Sequence, residues 1–436
     1  MIFIFDSIVI ILYLINGYLG AVAMTLFSMW IWYHFKCEKI LRIYILMCVS
    51  LPFSYIGILG TQQFQMISWY NIYIVLYMLY FLKSRYIDWQ STAKTFLYVS
   101  GIFILLLINL LYTPKLAKPI IEIVQMFVMI IPISLSYSIK KTITVSSDNY
   151  ILLTKTYIDS CCAAALALIF QYFAYKVLSV KLGYITFYGG NRVNYLCLFK
   201  GESIFPIFIG IGALMLLYDF MYNKVEKLSV IKLCMIIIAM ILSNSRAGIV
   251  SFFVVAGYMI IRQSASDYIK DYTEKYYKID TYYRRIFAAY KIIDYITASR
   301  NLSGIMNLNG RKESYIMGLQ VWKSSIKNVI LGDGFTRYVY KGVETPHNMV
   351  IQLLAQCGVI VAVLIVAGII AFYIKNRKSQ EKYLIIYIVV ANMMVTDFYA
   401  NAFTTVVFIM IAFTSNYKKI STSKIVNKEI QMSDPI

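Results

Sequence analysis

The chain has 436 residues, of which 60% are hydrophobic and 14% are charged, whereas soluble domains carry about 25% charged residues. Several apolar runs reach the roughly 20 residues that a helix needs to cross the hydrocarbon core of a membrane. This composition excludes a soluble protein and predicts one all-α, polytopic membrane domain over residues 1–436. The net charge of +20 indicates contact with membrane lipids and no nucleic acid, because Lys and Arg lie mainly in short loops between apolar runs.

The apolar runs predict about 12 to 14 transmembrane helices joined mostly by short loops. The first run is too long for a cleavable signal peptide and has no small-residue cleavage site. Asn16-Gly17 interrupts this run, which allows a hairpin of two short spans. In chain order, the runs cover residues 2–33, 43–60, 67–82, 95–112, 119–138, 157–180, 203–222, 228–243, 247–261, 349–374, 384–398 and 402–416.

Alternate connections between these runs are basic, which orients the chain by the positive-inside rule. The basic connections lie at 36–42, 83–94, 140–155, 224–232 and 375–382, and the tail at 417–436 has the same character. We therefore expect these segments in the cytoplasm. The segments expected on the outer face are 60–66, 181–202, 243–246 and 345–348.

The chain between Arg246 and His347 leaves the span count open. If both residues lie outside, the chain crosses the membrane an even number of times between them, and only 247–261 is an obvious span. A weaker second span is predicted at 286–299. The alternative is that 247–261 enters the membrane and returns. In either case, we expect the large loop at 263–347 to carry a partly helical segment on the outer membrane surface.

The seven cysteines predict neither a disulfide framework nor a metal site. Six of them lie in or beside predicted spans, and only Cys197 lies in a predicted external loop. Because no Cys/His cluster has the spacing of metal ligands, we predict no metal and no cofactor.

Two arginines on the predicted outer face are candidates for binding phosphate oxygens, which suit the planar fork of a guanidinium. Arg246 ends a polar turn between two apolar runs. Arg311 begins an amphipathic stretch that continues through Trp322 to the Gly-x-Gly segment at 332–334, and the N-terminus of a helix there would also favour anions. The alternatives are that Arg246 anchors the chain at the lipid head groups and that Arg311 is an ordinary solvated side chain.

His347 precedes the apolar run at 349–374 on the predicted outer face. An imidazole at this place can accept a proton at physiological pH, so His347 is a candidate general base. The alternative is that it only fills an interfacial position. The other histidine, His34, lies among aromatic residues near cytoplasmic lysines, which is typical of an anchor.

Two further places carry charged side chains. Asp397 lies in the turn between the last two apolar runs, where a carboxylate needs a partner. It could orient His347, hold an arginine, or simply cap a helix. In the loop at 191–203, Arg192 and Glu202 are candidate substrate contacts or a salt bridge and nothing more.

Taken together, these motifs resemble the O-antigen ligase and polysaccharide polymerase superfamily. The resemblance covers the order of spans over most of the chain and is sharp from Ser243 to Gly358. The family's Ser-x-Ser-Arg turn looks like residues 243–246, and its series of Arg, Trp and Gly-x-Gly looks like Arg311, Trp322 and 332–334. Its His-Asn pair, followed after nine residues by Gly, looks like 347–348 with Gly358. Its late Asp looks like Asp397. The chain departs from many ligases in having Val361 in place of a second Gly, and the span after the arginine turn is degenerate.

The resemblance implies a GT-C-like fold in the bacterial cytoplasmic membrane and inverting, metal-independent glycosyl transfer at its outer face. The donor would be a glycan on undecaprenyl diphosphate, and an acceptor hydroxyl would attack its anomeric carbon. Positive charge from two arginines suits a diphosphate leaving group. The implied catalytic residues are His347, Arg246, Arg311 and Asp397, and the implied substrate-binding residues are Arg192, Glu202, Ser245, Trp322 and Asn348.

Within the superfamily, the loop at 191–203 resembles repeat-unit polymerases more than ligases. We therefore expect polymerisation of lipid-linked repeat units into O-antigen, capsule or exopolysaccharide, with a chain-length regulator and a flippase as further partners. The first alternative is an O-antigen ligase, which moves finished glycan to a lipid core. The second is a glycolipid flippase or other transporter, which would be expected to show internal repeats and charges in mid-span.

Overall fold

The computed structural model describes residues 1–60, 67–83, 89–112, 117–137, 147–188, 192–199, 201, 203–222, 226–270, 311–334, 346–377, 379–395 and 401–413. These residues are predominantly helical, which is consistent with a membrane protein of the all-α class. The helices are α1 (Ile2–Ile15), α2 (Gly17–His34), α3 (Lys39–Ser50), α4 (Trp69–Lys83), α5 (Trp89–Leu110), α6 (Ala117–Tyr137), α7 (Ser147–Leu178), α8 (Ile204–Tyr222), α9 (Lys227–Leu242), α10 (Arg246–Lys270), α11 (Arg311–Lys323), α12 (Ile326–Leu331), α13 (Met349–Asn376), α14 (Lys382–Asn392) and α15 (Ala402–Phe413).

Five of the described helices are long and apolar enough to cross a membrane: α5, α6, α7, α8 and α13. Other apolar helices, including α1, α14 and α15, are shorter. Large apolar side chains are exposed on the outside of the bundle, and Phe96 and Leu97 on α5 are 64% and 75% exposed. Such surface is expected where lipid surrounds a protein. The helices are therefore consistent with a multi-pass membrane protein, while the number of spans stays a prediction.

The first apolar run is split into two antiparallel helices at Asn16. Asn16 is the residue at which α1 ends. Its side chain caps α2, because its Oδ1 accepts hydrogen bonds from two backbone N–H groups of α2 at 2.8 and 3.3 Å. Gly20 lies directly against the ring of Tyr13. The rings of Phe5 and Trp30 are 5.1 Å apart, so α1 and α2 pack along their length as a hairpin.

Helix α10 follows Arg246 and covers the apolar run at 247–261. It is a continuous helix of 25 residues, which is about 38 Å long. The chain therefore does not reverse its direction within 247–261, and the number of crossings between Arg246 and His347 stays a prediction. The helix also passes residue 263, where the sequence predicts a loop to begin. The second span predicted at 286–299 and the predicted tail at 417–436 lie outside the described residues.

A small β-hairpin departs from the all-α prediction. Strands β1 (Ile185–Tyr188) and β2 (Arg192–Tyr195) are antiparallel, with the first residue of β1 opposite the last of β2. The hairpin lies between α7 and α8 and is held by the buried amide of Gln171 on α7. Gln171 Nε2 donates to Tyr184 O at 3.0 Å, and its Oε1 accepts from Cys197 N at 2.9 Å. One side chain thus holds both strands at the open end of the hairpin.

Connections predicted to be external meet at one end of the helix bundle. There Tyr13 Oη donates to Ile58 O at 2.7 Å, and Tyr55 Oη donates to Asn401 Oδ1 at 3.0 Å. At the other end of α7 and α14, Tyr150 Oη donates to Glu381 Oε1 at 3.3 Å, beside the basic connection before α14. We call the first end, with the connections near residues 16, 58, 193, 244, 348, 393 and 401, the motif end.

Candidate functional site

The polar turn between α9 and α10 is packed against β2 and the segment before α8. Asn244 has a φ of +59°, a left-handed conformation that Asn adopts more readily than most residues. Its Nδ2 donates to Val193 O at 3.4 Å. Ser245 is buried, and its Oγ donates to Ser203 Oγ at 3.5 Å. Two segments with separate sequence motifs therefore form one unit, which we call the turn–loop contact.

The backbones of Arg246 and Arg192 flank the turn–loop contact. Arg246 is the first residue of α10, and Arg192 is the first residue of β2. Their side chains, and the whole of Glu202, lie outside the described part of the chain. A Cβ atom at Gly248, in the first turn of α10, would lie 2.6 Å from the carbonyl carbon of Pro206 in α8. The starts of these two helices are therefore in direct contact.

His347 and Asn348 lie at the start of α13. Asn348 is the N-cap, because its Oδ1 accepts hydrogen bonds from Val350 N at 3.0 Å and Ile351 N at 3.2 Å. Its Nδ2 donates to Met393 O at 3.4 Å. The side chain implied by the resemblance to bind substrate thus shapes the helix start and fixes the backbone next to the half-buried His347.

The described part of helix α11 runs from Arg311 to Lys323 and packs against the start of α13. The side chain of Arg311 lies outside the described residues. The buried face of the helix consists of Ser314, Met317 and Gly318. A Cβ atom at Gly318 would lie 2.6 Å from the ring Cγ of Pro346. The small residues on this face allow the two helices to approach closely.

Tyr315, Leu319 and Trp322, which recur at helical spacing in the amphipathic stretch, are half-buried. Two of them make polar contacts. Tyr315 Oη donates to His347 O at 3.1 Å, so the start of α11 lies about one helical turn from this contact. Trp322 Nε1 donates to Val329 O at 3.1 Å and joins α11 to α12. Trp322 therefore has a structural role in addition to the substrate contact implied for it.

The Gly-x-Gly segment after α12 packs against a break in α13 at Gly358. Gly332 has φ +78° and ψ 178°, and Gly358 has φ +75° and ψ 176°, a conformation that is essentially restricted to glycine. A Cβ at Gly358 would lie 2.2 Å from Ile330 O, and one at Gly332 would lie 2.4 Å from Gln356 O. The two backbones touch where only glycine fits.

Carbonyl groups next to the break accept hydrogen bonds from neighbouring segments. An unbroken α-helix would use these carbonyls for its own backbone N–H groups. The bonds run from Asp333 N to Ala355 O (2.9 Å), from Gly334 N to Gln356 O (3.0 Å) and from Asn109 Nδ2 to Gln356 O (3.1 Å). Asn109, near the end of α5, also donates to Leu331 O. We call the contact of Gly332, Gly358 and Asn109 the glycine junction.

The structure gives a physical reason for the spacing between the His-Asn pair and Gly358. Asn348 caps the helical segment Met349–Cys357, and Gly358 ends it. Nine helical residues span about 14 Å. The spacing therefore fixes the distance between the backbone of His347 and the glycine junction.

Asp397 lies outside the described residues, but the ends of its turn are fixed. Helix α14 ends at Asn392, and Asn401 precedes α15. Asn401 Nδ2 donates to Asn392 Oδ1 at 3.4 Å, which closes the turn at its base. Because Met393 O accepts a hydrogen bond from Asn348, the turn that carries Asp397 begins beside the start of α13.

Helix α14 joins the turn–loop contact to the start of α13. Tyr387 Oη lies 3.4 Å from both Pro206 O and Gly248 O. Six residues later, Met393 contacts Asn348. Six helical residues span about 9 Å. The starts of α10 and α13 are thus bound to the same helix less than two turns apart.

Asn109 and Asn401 hold these segments in place, although no sequence motif points to them. They lie beside charged motifs or at the ends of apolar runs and match no motif of their own. The sequence indicates only that a polar side chain needs a hydrogen-bond partner if it is buried. A single sequence does not identify that partner, so these residues emerge from the structure.

Cys197, predicted in an external loop, is buried between β2 and α8 with a φ of +54°. Burial raises the pKa of its thiol to about 12. At neutral pH the thiol therefore stays protonated, which makes Cys197 a packing residue and a poor nucleophile.

No protein-family model matches this sequence, and no curated protein matches it. Across the described ranges, no three His, Cys, Asp or Glu residues lie close enough together to hold a metal ion. The geometry of the motif end and the family resemblance of its motifs are the basis for a functional assignment.

Proposed function

We propose that the chain is a bacterial membrane glycosyltransferase that polymerises undecaprenyl-diphosphate-linked repeat units into O-antigen, capsule or exopolysaccharide. The reaction would take place at the motif end, on the outer face of the cytoplasmic membrane. One observation carries the proposal, which is that the segments bearing the candidate residues are hydrogen-bonded in pairs. One bond joins the segment of Arg192 to that of Arg246, and another joins the segment of Arg311 to that of His347. Residues that served only as separate lipid anchors would not require such contacts between their segments.

The starts of α10 and α11 are suited to hold the diphosphate of the donor. Arg246 is the first residue of α10, where backbone N–H groups have no partner within the helix, and the described part of α11 starts at Arg311. The guanidinium group and the helix dipole both attract phosphate oxygens. Positive charge at these places would stabilise the leaving diphosphate as its bond to the sugar breaks.

His347 would accept the proton of the acceptor hydroxyl. The hydroxyl oxygen then bonds to the anomeric carbon of the donor, the bond from that carbon to the phosphate oxygen breaks, and its electron pair leaves with undecaprenyl diphosphate. Attack from the face opposite the leaving group inverts the configuration. The Asn348 cap and Tyr315 hold the backbone of His347, and Asp397 would orient its ring or pair with an arginine.

The turn–loop contact favours a polymerase over a ligase. The loop at 192–203 is fastened to the turn that precedes Arg246, so it could bind the acceptor glycan beside the donor phosphate. An O-antigen ligase would use the same donor chemistry with a lipid-core acceptor and remains the alternative. A flippase or transporter, the second alternative, would form no glycosidic bond.

Replacing His347 with Ala tests the proposed chemistry. Loss of a general base costs about 100-fold or more in rate, so we expect little polymer from lipid-linked repeat units with purified His347→Ala protein. The matched control is His34→Ala. His34 stacks on Trp30 with ring centroids 4.5 Å apart. It lies at the end of α2 and belongs to none of the motifs. This variant should polymerise at nearly the normal rate.

The measurement is the length distribution of polymer formed at equal amounts of folded protein. A normal distribution from His347→Ala would remove His347 from the mechanism. Absence of any glycosidic product from the unsubstituted protein, with transport of the lipid-linked unit instead, would contradict the proposed function as a whole.

A further inference from the structure

Asp6 is a buried carboxyl group in the first helix, away from the motif end. It is 0% exposed, and it lies ten residues before the Asn16 turn, which is about 15 Å along a helix. A carboxylate inside a membrane-embedded helix is costly unless it is paired. Among the residues that the structure describes, neither carboxyl oxygen of Asp6 has a hydrogen-bond partner of normal geometry.

The titratable groups that surround Asp6 do not compensate a negative charge. Asp159 on α7 is close enough to repel it. Lys232 on α9 is bound to Asp159, with Nζ 2.5 Å from Oδ1, so its charge is already used. The thiols of Cys48 on α3 and Cys161 on α7 also interact electrostatically with Asp6 and supply no positive charge.

The hydroxyl of Ser160 on α7 indicates which form of the carboxyl fits. A serine hydroxyl has one proton to donate and two lone pairs that accept. Ser160 Oγ donates its proton to Cys48 O at 2.9 Å, and the same hydroxyl lies beside the Asp6 carboxyl. That proton is therefore not available to stabilise a charge on Asp6, whose carboxyl oxygens have no hydrogen-bond partner among the described residues. A buried carboxyl group with neither a cation nor a donor to pair with keeps its proton.

We propose that Asp6 is an intramembrane proton-binding site, whose carboxyl holds a proton at neutral pH and turns it toward Ser160 Oγ. In this form, α1 packs against α7 without burying a net charge. Loss of the proton would leave two carboxylates, Asp6 and Asp159, that repel each other, with one lysine that is bound to Asp159. The site is separate from the motif end and does not depend on the proposed glycosyl transfer.

Infrared difference spectra of the purified full chain at neutral pH test this proposal. Protonated carboxyl groups and carboxylates have separate stretching bands. Asp6→Asn keeps the size and neutral state of the side chain, so it should remove one protonated-carboxyl band. The matched control, Asp159→Asn, removes a salt-bridged group on the neighbouring helix and should remove a carboxylate band. Loss of a carboxylate band from Asp6→Asn would overturn the proposal.

Carbodiimide labelling of the unsubstituted chain tests the same point if Asp6→Asn does not fold. The apolar reagent dicyclohexylcarbodiimide adds to a protonated carboxyl: the proton moves to a reagent nitrogen, and the carboxyl oxygen bonds to the central carbon. The adduct then rearranges to a stable acylurea. Peptide mass spectrometry should find it on Asp6 and not on Asp159. An adduct on Asp159 with Asp6 unmodified would overturn the proposal.

Discussion

The side chains of Asn348, Trp322 and Ser245 each make a hydrogen bond that shapes the motif end. Asn348 caps α13, Trp322 joins α11 to α12, and Ser245 contacts Ser203. Replacing any of them would change the shape of the site, whether or not the residue touches substrate. A sharper test at the scale of single residues is a change from arginine to lysine, which keeps the charge and alters the hydrogen bonds.

Arg246→Lys and Arg311→Lys should each lower polymerisation, because a lysine ammonium cannot make the two parallel hydrogen bonds of a guanidinium to a diphosphate. A lost hydrogen bond to a charged group is worth about 1.5–3 kcal/mol, or roughly a 10- to 100-fold lower rate. The rate of polymer formation is measured at saturating donor and at low donor concentration.

Arg262→Lys is the matched control for Arg246→Lys. Arg262 lies on the same helix, sixteen residues on, and its Nη1 contacts Tyr258 Oη at 3.5 Å on an exposed surface. We expect its rate to remain within about twofold of normal, since exposed polar contacts contribute little. Full activity in both Arg246→Lys and Arg311→Lys would indicate lipid anchors and a diphosphate site elsewhere.

At the scale of elements, α13 connects the candidate base to the glycine junction. Its segment from Met349 to Cys357 is capped by Asn348 and ends where Gly358 breaks the helix. The segment contacts α11, α12 and the end of α5, so a shift at the junction would move the backbone of His347. The family-like motifs in this region thus include residues whose role is to fix geometry.

Gly358→Ala should displace the glycine junction. The new Cβ would lie 2.2 Å from Ile330 O in a backbone conformation with φ +75°. Strain of this kind costs about 1–3 kcal/mol, and overpacking adds about as much. We expect a lower melting temperature in detergent and loss of polymerisation. Both are measured on the purified full chain.

Gly101→Ala is the control for this prediction. Gly101 lies in α5, and a Cβ there would meet no other atom within 4 Å. Alanine stabilises a helix interior by about 0.5–1 kcal/mol relative to glycine, so this variant should melt at the same or a higher temperature and stay active. Normal stability and activity in Gly358→Ala would show that the junction is not a rigid support for the site.

For the whole molecule, hydropathy and charge predict the helical class, the break at Asn16 and the segments that gather at one end of the bundle. These features follow from local composition, because each apolar run forms its helix largely by itself. The β-hairpin held by Gln171 and the pairing of Gly332 with Gly358 depend on contacts between segments far apart in the sequence. A single sequence carries no signal for such partners, and the buried Asp6 is missed because it lies inside an otherwise apolar run.

The last prediction concerns the choice between polymerase and ligase, which differ in where long chains accumulate. A strain without the polymerase still transfers single repeat units to the final acceptor, so its surface carries short, single-unit glycan. A strain without the ligase leaves long chains on undecaprenyl diphosphate and a bare acceptor at the surface. The turn–loop contact and Val361, which is packed in the core beside α5 and α6, favour the first outcome. Glycan is extracted from the surface and from the lipid carrier of the deletion strain and separated by length. Full-length polymer on the carrier would overturn the polymerase assignment and leave the proposed glycosyl-transfer chemistry in place.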